Sequence, residues 1–192
     1  MNEFIEYLTL GFQHIIDIKG IDHMLFVIVL CAVYDFKGYK KILVLVTAFT
    51  VGHCLTLILS SFEILKINQN LVEFLIPVTI LLTAIHNLIV KASADKKIAL
   101  NYILAFGFGL IHGLGFSNFF KALMMGQDDL IIPLLSFNIG VELGQILIIV
   151  FIYALYWMYA VRLKKPHRDW NMVVSSAGAG MALLMIINSI HG

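Results

Sequence analysis

Five ionisable side chains that can bind metal lie within or at the edges of long apolar stretches: Asp22, His23, His53, His112 and Glu142. Ionisable groups in hydrocarbon are expensive to hold and usually mark a functional site. Imidazole suits nickel, cobalt, zinc and copper(II), whereas magnesium and calcium sites are built mainly from oxygen. The mixed set therefore predicts a site for a borderline divalent transition metal. The structural alternative for His53, His112 and Glu142 is hydrogen bonding between helices, and for Asp22 and His23 it is a polar helix start at the membrane interface with Asp22 capping backbone amides.

Further polar residues extend this set toward a pathway. Asn138 and Gln145 lie in the same apolar stretch as Glu142, and the three share one helical face. We expect the two amides to orient the ligands or to offer amide oxygens to the ion. The other pathway candidates, which rest on position alone, are His14, Glu73, His86 and Asn87.

The composition is that of a membrane protein. Of 192 residues, 60% are hydrophobic and only 13% are charged, and the mean hydropathy is +0.94. Such a balance predicts an all-α polytopic membrane protein and one integral membrane domain over residues 1–192, with the lipid bilayer as its surroundings. The formal charge of +1 leaves no basic excess for nucleic acid.

The apolar runs predict a compact bundle of six transmembrane helices, each able to cross roughly 30 Å of hydrocarbon. They cover residues 21–34, 42–61, 71–90, 98–120, 130–161 and 172–190. The first run is short, so it must recruit residues before Gly20 or begin below the membrane surface. Residues 4–12 place Phe4, Ile5, Leu8 and Phe12 on one face, which suits either a short interfacial helix or a helical lead-in to the first span.

Lysine and arginine cluster in alternate connections, which predicts the side that faces the cytoplasm. The clusters follow the first, third and fifth runs: Lys37, Lys40 and Lys41; Lys91, Lys96 and Lys97; and Arg162, Lys164, Lys165 and Arg168. We therefore expect a multi-pass protein with both termini outside.

The candidate ligands lie deep in their predicted spans. At about 1.5 Å per residue, His53 lies roughly 16 Å and His112 roughly 21 Å from the cytoplasmic ends of their helices, and Glu142 lies roughly 18 Å from the outer end of its helix. Glycines next to these positions permit close helix approach, so that side chains from several helices can meet one ion: Gly20, Gly52, Gly107, Gly109, Gly113, Gly115, Gly140 and Gly144.

Several motifs in a fixed order resemble those of the HupE/UreJ family of bacterial membrane proteins. They are Gly11-Phe-Gln-His14 leading to Gly20-Ile-Asp22-His23-Met-Leu-Phe26, Thr47-Ala-Phe-Thr-Val-Gly-His53-Cys-Leu-Thr56-Leu57, Phe108-Gly-Leu-Ile-His112-Gly-Leu-Gly-Phe116, and Phe137-Asn138-Ile-Gly140-Val-Glu142-Leu-Gly-Gln145. The resemblance covers most of the chain.

This resemblance implies a nickel or cobalt permease associated with hydrogenase or urease systems. The family's acid-histidine signature falls on Asp22 and His23, with His14 as its upstream histidine, which implies that the first ligands gather there. The expected cargo is nickel, with cobalt as the alternative and zinc and copper also compatible with the donor set.

Three functions remain open at this stage. The first is a permease that passes a divalent ion from Asp22 and His23 to His53, His112 and Glu142. The second is an intramembrane metal-dependent hydrolase with Glu142 or Asp22 as general base, although the His-Glu-x-x-His signature is absent. The third is a metal-binding assembly or sensing subunit, and a homo-oligomer is compatible with all three.

Overall fold

The computed structural model describes residues 2–62, 64–65, 68–89, 98–124 and 130–191. These residues form α-helices and no strand, which confirms the all-α prediction. The helices are α1 (Glu3–Ile16), α2 (Ile21–Ala32), α3 (Tyr39–Ser61), α4 (Gln69–Ile89), α5 (Ile98–Met124), α6 (Ile131–Trp157) and α7 (His167–His191). Short 3-10 turns join α1 to α2 and α2 to α3, and a π-helical turn, Met158–Arg162, continues α6.

Helices α3 to α7 are long and apolar enough to cross a membrane. Helix α2 is apolar but has only 12 residues. It follows α1 after a break at residues 17–20, so the first pass through the bundle is made of two half-length helices. The last span was predicted from residue 172, but α7 begins at His167, directly after Pro166. The prediction began too late because it followed apolar residues, and the first turn of α7 is helical but polar.

Helix α1 packs along α6, and its packing differs from the apolar face expected from sequence. Its buried residues are Tyr7, Gly11 and Ile15, whereas Ile5 is 52% exposed. A Cβ at Gly11 would clash with the backbone carbonyl of Phe137. Two helix backbones can approach closely only where the residue between them is small. Helix α1 therefore buries the face that contains Gly11, and not the face of Phe4, Ile5, Leu8 and Phe12.

Helices α3 and α5 approach each other in the same way. A Cβ at Gly52 would clash with the backbone of Phe106, and a Cβ at Gly109 with that of Phe49. One turn further on, Gly113 faces the backbone of His53. This register places residues 49–53 of α3 beside residues 106–113 of α5, so that His53 and His112 come from adjacent backbones.

Two of the predicted basic connections lie on one face of the bundle. The Tyr153 hydroxyl donates to the carbonyl of Asp35 at 3.0 Å, and the ring of His167 lies 3.1 Å from the carbonyl of Val33. These bonds join the α2–α3 connection to α6 and to the start of α7. We call this side the basic-loop face and the other side the opposite face. Lys91, Lys96 and Lys97 lie outside the described residues.

Gly109→Ala is expected to destabilise the protein by about 1–3 kcal/mol, because the added methyl group must push α3 from α5. Gly107→Ala is the matched control in the same helix, since nothing lies within 4 Å of a Cβ there. That control should be neutral or stabilising by up to about 1 kcal/mol. The measurement is the free energy of unfolding in mixed micelles titrated with SDS. Equal values for the two variants would contradict the backbone contact.

Candidate metal centre

Three histidines from three helices converge inside the bundle. The possible ligand atoms of His14 in α1, His23 in α2 and His53 in α3 all lie within 4.8 Å of one another. Nitrogens that share one tetrahedral ion lie about 3.4 Å apart, given metal–nitrogen bonds of about 2.1 Å. Modest ring rotations would therefore bring all three nitrogens onto one ion.

His112 of α5 adds a fourth ring. Its centroid lies 5.1 Å from that of His23, and its side chain is fully buried. His23 and His53 are also buried, and His14 is half-buried. The break between α1 and α2 explains why two histidines nine positions apart in sequence meet, since the rings of His14 and His23 are 4.6 Å apart.

Hydrogen bonds fix the tautomer of two of these rings. His112 Nδ1 lies 2.8 Å from the carbonyl oxygen of Phe108, which can only accept, so Nδ1 carries the proton in the neutral ring. His23 Nδ1 lies 3.1 Å from Oδ1 of Asp22, which also accepts the backbone N–H of His23. In both rings the Nε2 lone pair is left free. A carboxylate or carbonyl behind the ring is the arrangement that orients metal-binding histidines.

The free nitrogens have no partner in the described part of the chain. Buried side-chain atoms without a hydrogen bond include Nε2 of His14, His23 and His112 and both ring nitrogens of His53. Buried polar atoms in native proteins are nearly always satisfied, so an unpartnered group calls for a ligand, water or ion. Four imidazoles with free nitrogens form a donor set for a borderline transition metal.

A partly open pocket of ≈ 220 Å³ lies beside Asp22, which separates it from His23. Its walls come from the start of α2, from Glu73 and Pro77 in α4, and from Met185 near the end of α7. Because α2 ends and α7 begins at the basic-loop face, the pocket lies toward the opposite face. The Asp22 side chain is 19% exposed, so this residue contacts both the pocket and His23.

Glu142 lies in a separate polar contact between α3 and α6. Thr47 donates to one carboxylate oxygen at 2.6 Å and Thr50 to the other at 2.5 Å. Thr50 also lies 2.9 Å from Oε1 of Gln145. The three-histidine group does not include Glu142, so its role as a metal ligand stays a prediction.

The amide candidates differ in how well their polar atoms are satisfied. Asn138 donates to the carbonyl of Leu134, but its buried Oδ1 has no hydrogen-bond partner among the described residues. The same is true of Nε2 of Gln145, which is fully buried. These two atoms remain available to water or to an ion.

The pathway candidates of α4 have separate surroundings. Glu73 lines the pocket beside Asp22. The side-chain amide of Asn87 donates to the backbone carbonyl of Val29 at 2.7 Å, and the backbone carbonyl of Asn87 accepts from the side chain of Asn171 at 2.8 Å. Asn87 therefore ties α4 to α2 and α7. This network gives Asn87 a structural role, and His86 lies half-buried on the same turn.

Position alone gave His14 a pathway role and the family resemblance placed it beside Asp22 and His23, and the structure brings it into one group with His23 and His53. The sequence feature that accounts for the position of His14 is the set of glycines where α1 meets α6. A Cβ at Gly140 would meet the backbone of Leu8, and one at Gly144 would meet that of Phe12. Thr47 and Thr50 were not singled out from sequence as partners of Glu142. They are short polar residues on α3, and no local pattern indicates which acid on another helix they face.

The fold and this centre define a polytopic helical membrane protein with a histidine cluster inside the bundle. A family model described as HupE/UreJ protein matches residues 1–189, and the chain belongs to this family. No curated protein and no solved structure matches the sequence.

Asp22→Asn is expected to weaken nickel binding by about 10–100-fold, because the carboxylate that orients the His23 ring is lost. Calorimetric titration of the detergent-purified protein with nickel measures the effect. Asp169→Asn, at an exposed position in the first turn of α7, is the matched control and should bind like the parent. Equal nickel affinity of the two variants would show that Asp22 does not contribute to metal binding.

Proposed function

We propose that this protein is a permease for a divalent transition metal, with nickel as the first expected cargo and cobalt as the second. The observation that carries the proposal is the convergence of four imidazoles from four helices, three of them buried and one half-buried, with free ring nitrogens. Membership of the HupE/UreJ family, which is known for nickel and cobalt transport, supports the same conclusion.

The proposed route begins in the pocket between α2, α4 and α7. The pocket has a volume of ≈ 220 Å³, and two carboxylates, those of Asp22 and Glu73, line it. The carboxylates of Asp22 and Glu73 attract the cation there. Because Asp22 also contacts His23, the ion can exchange water for imidazole one ligand at a time.

The ion then passes to His53 and His112, with His14 as a further ligand at the same level. In this proposal Glu142, held by Thr47 and Thr50, is a later stop that offers oxygen in place of nitrogen, and Asn138 and Gln145 supply amide groups along the way. Weak and divided binding is required, since a closed, high-affinity cage would trap the ion.

The driving force is proposed to be the ion gradient or the membrane potential. The sequence has no Gly-x-x-x-x-Gly-Lys-Ser/Thr motif for nucleotide binding. In the proposed orientation the basic-loop face is cytoplasmic, both termini lie outside, and the ion moves inward across the bacterial inner membrane. The positive-inside rule supports this orientation.

One observation favours an intramembrane hydrolase as the second candidate. A group of three histidines leaves a fourth position open for water, as catalytic zinc sites do. Such an enzyme also needs a free general base, whereas Asp22 is engaged with His23 and Glu142 with two threonines. A subunit that only binds metal, for assembly or sensing, would use the same residues but would not transport the ion.

The test is nickel and cobalt uptake into proteoliposomes followed by a metal-sensitive dye inside the vesicles. The parent protein should accelerate uptake over empty vesicles, and His53→Ala/His112→Ala should reduce it by about tenfold or more, because two of four ligands are lost. His167→Gln is the control, since this ring lies at the basic-loop face against Val33. Metal retention without uptake by the parent would favour the binding subunit or the hydrolase and overturn the permease.

A further inference from the structure

Three phenylalanines lie directly beneath the histidine centre on the side of the basic-loop face. Each is about one helical turn from a histidine of its own helix: Phe26 follows His23 in α2, Phe49 precedes His53 in α3, and Phe108 precedes His112 in α5. Helix α2 runs opposite to α3 and α5, so all three rings fall on the same side of the histidines. We call Phe26, Phe49 and Phe108 the inner aromatic cluster.

The rings of this cluster pack against each other and against the centre. Phe26 stacks on Phe49 with centroids 4.9 Å apart and meets Phe108 edge to face at 5.7 Å. The ring of His112 lies 5.5 Å from Phe26 and 5.1 Å from Phe49. Phe26 and Phe49 are at most 1% exposed. Three helices therefore close the space below the histidines with aromatic carbon.

The seal continues toward the basic-loop face. Leu45 and Val46, one turn beyond Phe49 in α3, are at most 1% exposed, and Leu30, one turn beyond Phe26 in α2, is 9% exposed. Between α2, α3 and α5, a divalent ion that leaves the imidazoles in this direction meets only apolar side chains, whereas the Glu142 carboxylate lies at a similar depth between α3 and α6, where Thr47 and Thr50 donate to it. Apolar constrictions of this kind exclude water and ions until their side chains separate.

The centre is closed differently on its other side. There Asp22 is 19% exposed and lines the pocket, while it contacts the ring of His23. Phe116 and Phe137 lie against the His14 ring, and Phe120 packs on both of them. The pocket reaches Asp22 from the side of α4 and α7. The two sides are thus unequal. A partly open pocket with carboxylates lies toward the opposite face, and aromatic rings close the space between α2, α3 and α5 toward the basic-loop face, beside the Glu142 contact of α3 with α6.

We propose that the inner aromatic cluster is the gate through which metal leaves the histidine centre toward the basic-loop face, and that this structure is the state with that gate closed. The inference rests on the proposed transport function and adds to it the place where the pathway must open. Movement of α2 relative to α3 and α5 separates Phe26 from Phe49 and Phe108. Helix α2 is separated from α1 by the break and is held to α4 and α7 by the bonds of Asn87 and His167, so this separation requires those contacts to change or α3 and α5 to shift.

The experiment locks the gate with a reversible crosslink. In a Cys31→Ala/Cys54→Ala background, Phe26→Cys/Phe49→Cys is treated with a short bis-methanethiosulfonate, reconstituted into liposomes and assayed for nickel uptake. A sample reduced with dithiothreitol, which is then removed, is compared. Uptake should fall by about tenfold or more on crosslinking and return on reduction, because an ion cannot pass an apolar constriction that is held shut. Nickel binding to the histidines should persist in the crosslinked form.

Each single-cysteine variant, treated identically, is the matched control, and its uptake should be the same before and after reduction, because one cysteine cannot join two helices. A second pair, Phe26→Cys/Phe108→Cys, joins α2 to α5 and should behave like the first, so the result does not depend on one variant that folds poorly. Complete crosslinking with unchanged uptake would overturn the gate, and so would failure of both pairs to crosslink, because the rings would then not be adjacent. Absence of uptake by the parent would instead overturn the proposed transport function.

Discussion

The close backbone approach of α3 to α5 and of α1 to α6 is the constraint on which the rest of the structure depends. Gly109 and Gly113 admit the backbone of α3, and Gly11 and Gly140 bring α1 against α6. In lipid there is no hydrophobic force to hold helices together, so close packing between small residues must do it. Only at such distances can imidazoles from separate helices face each other.

The break between α1 and α2 brings the other two histidines of the centre, His14 and His23, together. A continuous helix would separate residues 14 and 23 by about 13 Å along its axis. The break at residues 17–20 instead brings their rings within 4.6 Å. Interrupted helices near the middle of the membrane are where many transporters bind their substrates, because the break frees side chains and backbone to face one point. Here it also leaves α2 short and connected to α1 only by a turn.

The proposed transport requires the histidines to bind an ion without trapping it. Asp22 and the carbonyl of Phe108 hold two rings with Nε2 free, while both nitrogens of His53 lack a hydrogen-bond partner in the described chain. The possible ligand atoms of His14, His23 and His53 lie within 4.8 Å of one another. A partly open pocket adjoins Asp22 on one side of the centre, and aromatic rings pack against His112 on the other.

The sequence by itself determined the class of membrane protein, the approximate positions of the spans and which side chains within them can bind metal. These depend on hydropathy and residue type, which are local properties. It did not determine that His14 joins His23 and His53, that Glu142 pairs with Thr47 and Thr50, or that α1 buries the face of Gly11. Those facts were decided by the tertiary structure, because the register and approach of helices far apart in the chain follow from how their backbones pack and not from any one segment.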